Sequence, residues 1–268
     1  MRNQIQKFKR DKNFITFCRI GLFVAIILLW EVGAKTGILD EFLFSSPSAI
    51  LNLLIKYIVS KEIWRHLFIS VLETVAGIIF GTLLGILIAI ILWANKFLSK
   101  VVEPLLVLLN ALPKTALAPI MIIWAGTGVT GIVVVSISIL IVVTIISTYN
   151  YFINVDKEKI KMLKSFGATK TQLFTNLIFP SNLVNIINVV KINIGLAWVG
   201  VIVGEFLVSR AGLGYLIMYG GQVFRLDLVM MGVVILCLIA YLMYAIVNLI
   251  EIILIKKRGK KIWNQLKF

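Results

Sequence analysis

The chain is short of charge. Only 15% of its 268 residues are Asp, Glu, Lys or Arg, against about 25% in a soluble globular protein. Acidic residues are the scarcer sign, 12 against 27 basic ones. There is one histidine, His66, and there are two cysteines, Cys18 and Cys237. Neither cysteine has a neighbour at metal or redox spacing, so both are expected to be inert buried thiols. A lone histidine, no close cysteine pair and no Ser-His-Asp set readable from spacing argue against an enzyme. No Gly-x-x-x-x-Gly-Lys-Ser/Thr run occurs, so the chain is not expected to bind ATP itself. What fills the space left by charge is apolar: 60% of the residues are hydrophobic and the mean hydropathy is +1.02. These figures exclude a soluble enzyme, a disordered chain and a disulfide scaffold, and leave an integral membrane protein.

Six apolar runs are legible, at 20–34, 67–94, 101–124, 131–151, 183–208 and 228–255. A run of 20 residues at 1.5 Å each spans about 30 Å, the thickness of a hydrocarbon core. Backbone groups in lipid must be paired internally, so the runs are helices. The fold class is therefore all-α: a single polytopic membrane domain at 20–255, between a basic start at 1–19 and a basic tail at 256–268. The first run lacks a convincing cleavage site and reads as a retained span. The third, interrupted by Pro104, Pro113 and Pro119, reads as a broken helix. Residues 35–65 are polar, with Ser45-Ser46-Pro47-Ser48 as a turn signal.

A net charge of +15 would suggest nucleic acid in a soluble chain. Here its distribution reads as topology. Segments 1–19, 95–100, 152–180 and 256–268 hold 19 Lys or Arg, and the alternate segments hold six. Positive residues gather on cytoplasmic loops, which gives six helices with both termini cytoplasmic. Part of the basic excess also suits anionic lipid, and no nucleic-acid partner is expected.

Segment 152–180 departs from the rest in composition. Lys157 to Phe166 reads as a short helix with Ile160, Leu163 and Phe166 along one side. Gly167 stands where a left-handed helix end belongs. Thr169 and Gln172 fit a capping box that opens a second helix, running to Phe179 and stopping at Pro180. A helix–glycine–helix with an apolar ridge and basic flanks suits either a groove in a partner or the membrane surface.

Asp156, Lys164, Ser165, Phe166, Gly167 and Ala168, with Pro180 thirteen residues beyond the glycine, resemble the cytoplasmic "EAA" loop of ABC-importer permeases. The likeness continues in Ser45-Ser46-Pro47-Ser48, Ser70 to Gly85, Pro104, Leu112-Pro113, Ala118-Pro119 and Trp124 to Gly128. It extends through Gly195-Leu196-Ala197-Trp198, Val203-Gly204-Glu205 and Gly212-Leu213-Gly214. Over residues 45–215 the chain is similar to the nitrate/sulfonate/taurine-type permeases. The resemblance implies a transmembrane subunit of a bacterial cell-membrane importer. Its partners would be a second copy of itself, a cytoplasmic ATP-binding subunit using ATP and Mg, and an extracytoplasmic solute-binding protein. Coupling to the ATPase would fall on Glu158, Lys161, Leu163, Phe166, Gly167 and Ala168. One departure stands out: the family's acidic residue, six positions before the glycine, is Lys161 here, and Glu158 one turn away is its candidate substitute. Met162 and Leu163 replace the family's two alanines.

Further features bear on packing and transport. Gly77, Gly81 and Gly85 recur every four residues, a spacing that lets helix backbones approach closely. Glu205 lies in an apolar run, where carboxylates face a cavity or a partner, and with Trp198 it is the candidate for the substrate pathway; capping or pairing with Arg210 is the structural alternative. Glu73 reads as a protein-facing anchor and Lys191 as a snorkelling lysine. Trp30, Trp64, Trp263 and His66 read as interfacial. Gly212-x-Gly214 lacks the strand context of a dinucleotide site and reads as an external turn entering a short helix.

Two other classes remain as alternatives. An ion-gradient-driven transporter predicts inverted repeats and paired broken helices, and neither is visible. A membrane-embedded enzyme or assembly factor lacks a catalytic cluster. No group of spanning arginines marks the solute as an anion; nitrate, sulfonates, taurine and vitamin precursors all fit the resemblance.

Overall fold

The computed structural model describes the backbone of residues 2–265 and the side chains of residues 14, 15 and 17–256. Trp263 and most charges of the two basic ends lie outside those side chains. Most of the described backbone is helical, and it contains no strand. In chain order the helices are α1 (Arg2–Lys35), α2 (Glu41–Phe44), α3 (Pro47–Val59), α4 (Glu62–Ala94) and α5 (Lys96–Ala111). A 3₁₀ turn (Lys114–Leu117) leads into α6 (Ala118–Ala125), followed by α7 (Val129–Ile153), α8 (Lys157–Ser165) and α9 (Lys170–Leu173). A π-helical turn (Phe174–Ile178) then precedes α10 (Phe179–Ser181), α11 (Leu183–Val208), α12 (Leu213–Gln222) and α13 (Leu226–Gln265).

Among the described residues five helices are long and apolar enough to cross a membrane: Phe17–Lys35, Glu62–Ala94, Val129–Ile153, Leu183–Val208 and Leu226–Lys256. A sixth crossing is broken. Lys96–Ala111 and Lys114–Ala125 meet at 84°. The break follows from proline sterics: Leu112, just before Pro113, is extended (φ −66°, ψ 135°) because the ring disfavours helix in the residue ahead of it. Pro119 sits in the first turn of α6, where its missing N–H is no loss.

The chain forms two compact units, Met1–Trp64 with Leu216–Val234, and Arg65–Tyr215 with Ile235–Phe268. In the first, the stretch read as polar loop contains a helix. Ser46 caps α3 by accepting from Ala49 N at 3.2 Å, and Pro47 occupies the first turn. The serine–proline signal is thus a helix start and not merely a turn. Glu31 on α1 holds this cap by accepting from Ser48 N at 3.0 Å, and Trp30 Nε1 donates to Ser45 O at 3.2 Å.

In the second unit, α7 is the central helix. Ile132, Val135, Ser136, Leu140 and Thr144 are all buried. On one side, a Cβ added to Gly77 would strike Ser136, one on Gly81 would strike Leu140, and one on Gly85 would lie 2.6 Å from Thr144 Cγ2. Three glycines of α4 therefore seat three α7 residues that are also spaced by four. On the other side, a Cβ on Gly200 would strike the Ser136 backbone, and one on Gly204 would lie 3.1 Å from Ile132 Cα. Asn193 on α11 donates to Thr82 on α4 at 2.8 Å and to Thr144 on α7 at 2.9 Å, joining the three helices through side-chain amide and hydroxyl groups.

Two expectations are corrected. Cys18 and Cys237 are exposed on the outward faces of their helices; an apolar run meant for lipid is hydrophobic on its outside too, so hydropathy does not report burial there. Lys191 does not snorkel: it pairs with Glu251, donates to Asn248 Oδ1 at 2.8 Å and lies 5.4 Å from the Tyr244 ring centroid.

Candidate functional site

The segment from Asp156 to Ser181 is built with local helix stops and starts. Asp156 opens α8 by accepting from Glu158 N at 2.9 Å. Gly167 follows at φ +79°, a region that costs glycine little and other residues more. The capping box forms as the spacing requires: Thr169 Oγ1 accepts from Gln172 N at 3.3 Å, and Gln172 Oε1 accepts from Thr169 N at 2.9 Å. The second helix does not end at Pro180. It widens into the π turn at Phe174–Ile178 and carries Pro180 in the first turn of α10, since a local π turn accommodates the missing donor that would interrupt a regular helix.

The apolar ridge of α8 is divided. Ile160 and Leu163 pack onto a cluster of Ala89, Phe152, Leu173, Ile178 and Ile186. Phe166 is 80% exposed and Met162 53%. Glu158, Lys161 and Gly167 are exposed and Ala168 is half-buried. Helix α8 is thus anchored by two apolar residues and presents Phe166 and Met162 among lysines. Lys170 Nζ donates to Ala94 O at 3.2 Å, placing a cation at the C-terminus of α4.

The second site gathers motifs that are far apart in sequence. Glu205, fully buried near the end of α11, accepts from Ser70 Oγ at 2.5 Å and from Gly214 N at 2.5 Å. Tyr215 N points to the same carboxylate at 3.4 Å, and Ser70 Oγ accepts from Leu213 N at 2.8 Å. Glu205 and Ser70 therefore cap the first N–H groups of α12 from other helices. An anion at a helix N-terminus is favourably placed in the field of the helix. The two glycines of the turn make the approach possible. Gly212 has φ +124°, and a Cβ on it would collide with the Glu205 carboxylate. A Cβ on Gly214 would come within 2.9 Å of Glu205 Cβ. His66 Nδ1 receives Gly212 N at 3.0 Å, and its ring stacks on Tyr215 at 5.9 Å between centroids.

Glu205 does not pair with Arg210 in this arrangement; its partners are the turn itself. Trp198, two turns earlier on α11, is 3% exposed, and its Nε1 meets no acceptor among the described residues. Glu73 is protein-facing, at 1% exposed, yet neither of its oxygens meets a hydrogen-bond donor among the described residues. Sequence reasoning missed Ser70 as the partner of Glu205 and read Glu73 only as an anchor. The carboxylate in an apolar run was a visible signal for Glu73; nothing local marks Ser70, which lies 135 residues from its partner.

Comparison with known proteins puts these features in a family. Residues 81–258 match the family described as binding-protein-dependent transport system inner membrane component. The chain is 30% identical over 239 residues to the formylaminopyrimidine transport permease protein of Halalkalibacterium halodurans, covering 89% of this chain and 95% of the relative. It is 29% identical over 235 residues to a putative aliphatic sulfonates transport permease protein of Bacillus subtilis, covering 87% and 85%. The taurine transport system permease protein of Escherichia coli is 22% identical over 229 residues, covering 84% and 83%. Among solved structures, an inward-facing form of the MetNI methionine ABC transporter superposes with a TM-score of 0.54 at 18% identity, covering 74% of this chain and 96% of that one, which speaks for the fold alone. The chain is a multi-pass membrane permease and belongs to the family of binding-protein-dependent transport system inner membrane components.

Proposed function

We propose that this permease imports a small solute by ATP-driven alternating access. It would work as a homodimer with two cytoplasmic ATP-hydrolysing subunits and an extracytoplasmic binding protein. The single observation that carries the reading is the loop at 156–181, anchored by Ile160 and Leu163 while Phe166 stays 80% exposed. An exposed phenylalanine among lysines suits a groove on a partner better than it suits water. Glu158, Lys161, Phe166 and Gly167 would line that contact, and Leu163 and Ala168 would set the angle of α8. With Lys161 where the family pattern implies an acid, the facing groove would be acidic. Both termini and this loop would be cytoplasmic, following the basic segments. ATP and Mg would be used by the partner subunit.

The solute is drawn from the same chemistry as the relatives' named cargoes: aliphatic sulfonates, taurine or a pyrimidine precursor of a vitamin. The test is uptake by proteoliposomes holding the permease, its ATPase subunit and binding protein. Uptake is expected to require enclosed ATP and to persist when ionophores collapse ion gradients. Uptake that follows an ion gradient without ATP would overturn the reading. Orientation has its own check: Glu158→Cys should react with an impermeant maleimide only from the cytoplasmic side and Arg210→Cys only from the other.

A further inference from the structure

Two lysines lie well inside apolar spans, and the fold treats them differently. Lys191 on α11 has Glu251, Asn248 Oδ1 and the Tyr244 ring around it. Lys114 stands in the break of the third crossing, where Lys96–Ala111 and Lys114–Ala125 meet at 84°. It is half-buried, and among the described residues its ammonium enters no ion pair and no hydrogen bond. Its depth follows from α7. Before the break, Leu106 shares a cluster with Val142 and Ile145; after it, Ala118 and Ile122 share one with Val135 and Ile139. Lys114 is therefore level with the middle of α7 (Val129–Ile153), deep in the membrane. An ionised side chain at that depth is costly and faces a counter-charge or a water-filled path. A second copy offers no counter-charge, since a two-fold axis along the membrane normal keeps every residue at its own depth. Of the carboxyls in the spans of this unit, Glu73 and Glu205 are buried and Glu251 is paired with Lys191. Glu103 adjoins Ile146 and Asn150, nearer the end of α7. The break also leaves Pro113, Thr115 and Ala116 exposed. Irregular backbone at membrane depth is tolerated where it lines water or is covered by protein, and an unanswered ammonium beside it favours water.

We propose that the break at 112–117 forms a wall of the aqueous passage through the membrane, with Lys114 as the side chain that meets the passing solute. An ammonium only donates hydrogen bonds, so the group it meets is an oxygen acceptor on the solute. Its charge also sets a sign: a cationic group is repelled at this point and an anionic one is drawn in. The contrast with Lys191 is one of use. Lys191 is answered by its own chain and joins α11 to α13, whereas Lys114 is answered by water and by what passes. The proposal rests on the permease reading and names the residue that selects within its passage.

The test is thiol accessibility in the full-length permease with its ATPase subunit in nanodiscs, on a Cys18→Ser, Cys237→Ser background. Thr115→Cys and, separately, Ala116→Cys place a thiol beside Lys114. Ile26→Cys, on the exposed side of α1, is the lipid-facing control. The probes are two membrane-impermeant methanethiosulfonates of opposite charge, the sulfonatoethyl and the trimethylammonioethyl reagents. Each rate is divided by that with free cysteine. Thiols at 115 and 116 are expected to react much faster than the one at 26. The anionic probe should be favoured by about fivefold, the effect of one unit charge a few ångströms away in water. Lys114→Met should remove that preference and Lys114→Arg should keep it. Rates at 115 and 116 no greater than at 26 would place the break against lipid or a second copy and overturn the proposal. Equal normalised rates for the two probes, or a preference unchanged in Lys114→Met, would overturn it as well. The two thiols beside the native Lys114 decide the matter even if Lys114→Met fails to fold. Retention of the ATPase subunit is measured on the same preparation. Its loss would count against the importer reading, and unreactive thiols with the ATPase retained count against the passage wall alone.

Discussion

At the Glu205 corner, the backbone donors of Leu213, Gly214 and Tyr215 are answered from within the chain by Ser70 and Glu205. At the loop after α7 the local caps are also made, but Phe166 is left in the open. Both regions use a glycine at positive φ at a helix end, Gly212 just before α12 and Gly167 just after α8. The difference lies in what surrounds the glycine. A Cβ on Gly212 would meet the Glu205 carboxylate, while around Gly167 there is nothing within 4 Å. The first glycine is required by packing and the second only by its backbone conformation. The corner is therefore a finished structural joint, and the loop leaves an apolar side chain on an open surface.

Substitutions at the two regions should separate stability from coupling. The largest stability loss is expected for Glu205→Ala, which leaves the Ser70 hydroxyl and the Gly214 N–H buried without an acceptor, at about 1–3 kcal/mol each. Thermal unfolding in nanodiscs should show it, with Glu205→Gln milder because one acceptor oxygen remains. A stable Glu205→Ala that has lost transport would move Glu205 from joint to solute pathway. Gly212→Ala comes next, combining positive φ with the carboxylate collision, on the order of 1–3 kcal/mol. On the loop, Thr169→Ala should cost about 1 kcal/mol through its cap. Phe166→Ala should change stability by no more than about 0.5 kcal/mol, as exposed positions do, yet reduce ATPase stimulation. A large fall in the unfolding midpoint for Phe166→Ala would erase the contrast between the regions.

Local chemistry was legible in the sequence and long-range pairing was not. Span 183–208, the broken third crossing, the left-handed Gly167 and the Thr169/Gln172 box all depend on neighbours within a few residues, and each is present. Helix Pro47–Val59 was hidden because Ser46 and Pro47 serve turns and helix starts alike. Pro180 misled because the π turn ahead of it needs a view of backbone geometry. The Ile160–Leu163–Phe166 ridge could be drawn from periodicity, but which members face inward depends on Phe152 and Ile178. The corner required Ser70, Glu205 and Gly214 to meet across the fold, and only the burial of a charge in an apolar run hinted at it.

We propose that the loop at 156–181 carries the signal between ATP hydrolysis and the membrane helices. Gly167→Val tests it most directly. A β-branched residue at φ +79° strains the turn by on the order of 1–3 kcal/mol or redirects Phe166, an amount comparable with a coupling energy between sites. Nothing around Gly167 is crowded, so insertion and folding should survive, as judged by elution profile and unfolding midpoint. The measurement is the ATPase rate of the reconstituted complex with loaded binding protein. The account predicts a folded complex whose rate no longer rises above its basal value; stimulation equal to that of the native chain would contradict it.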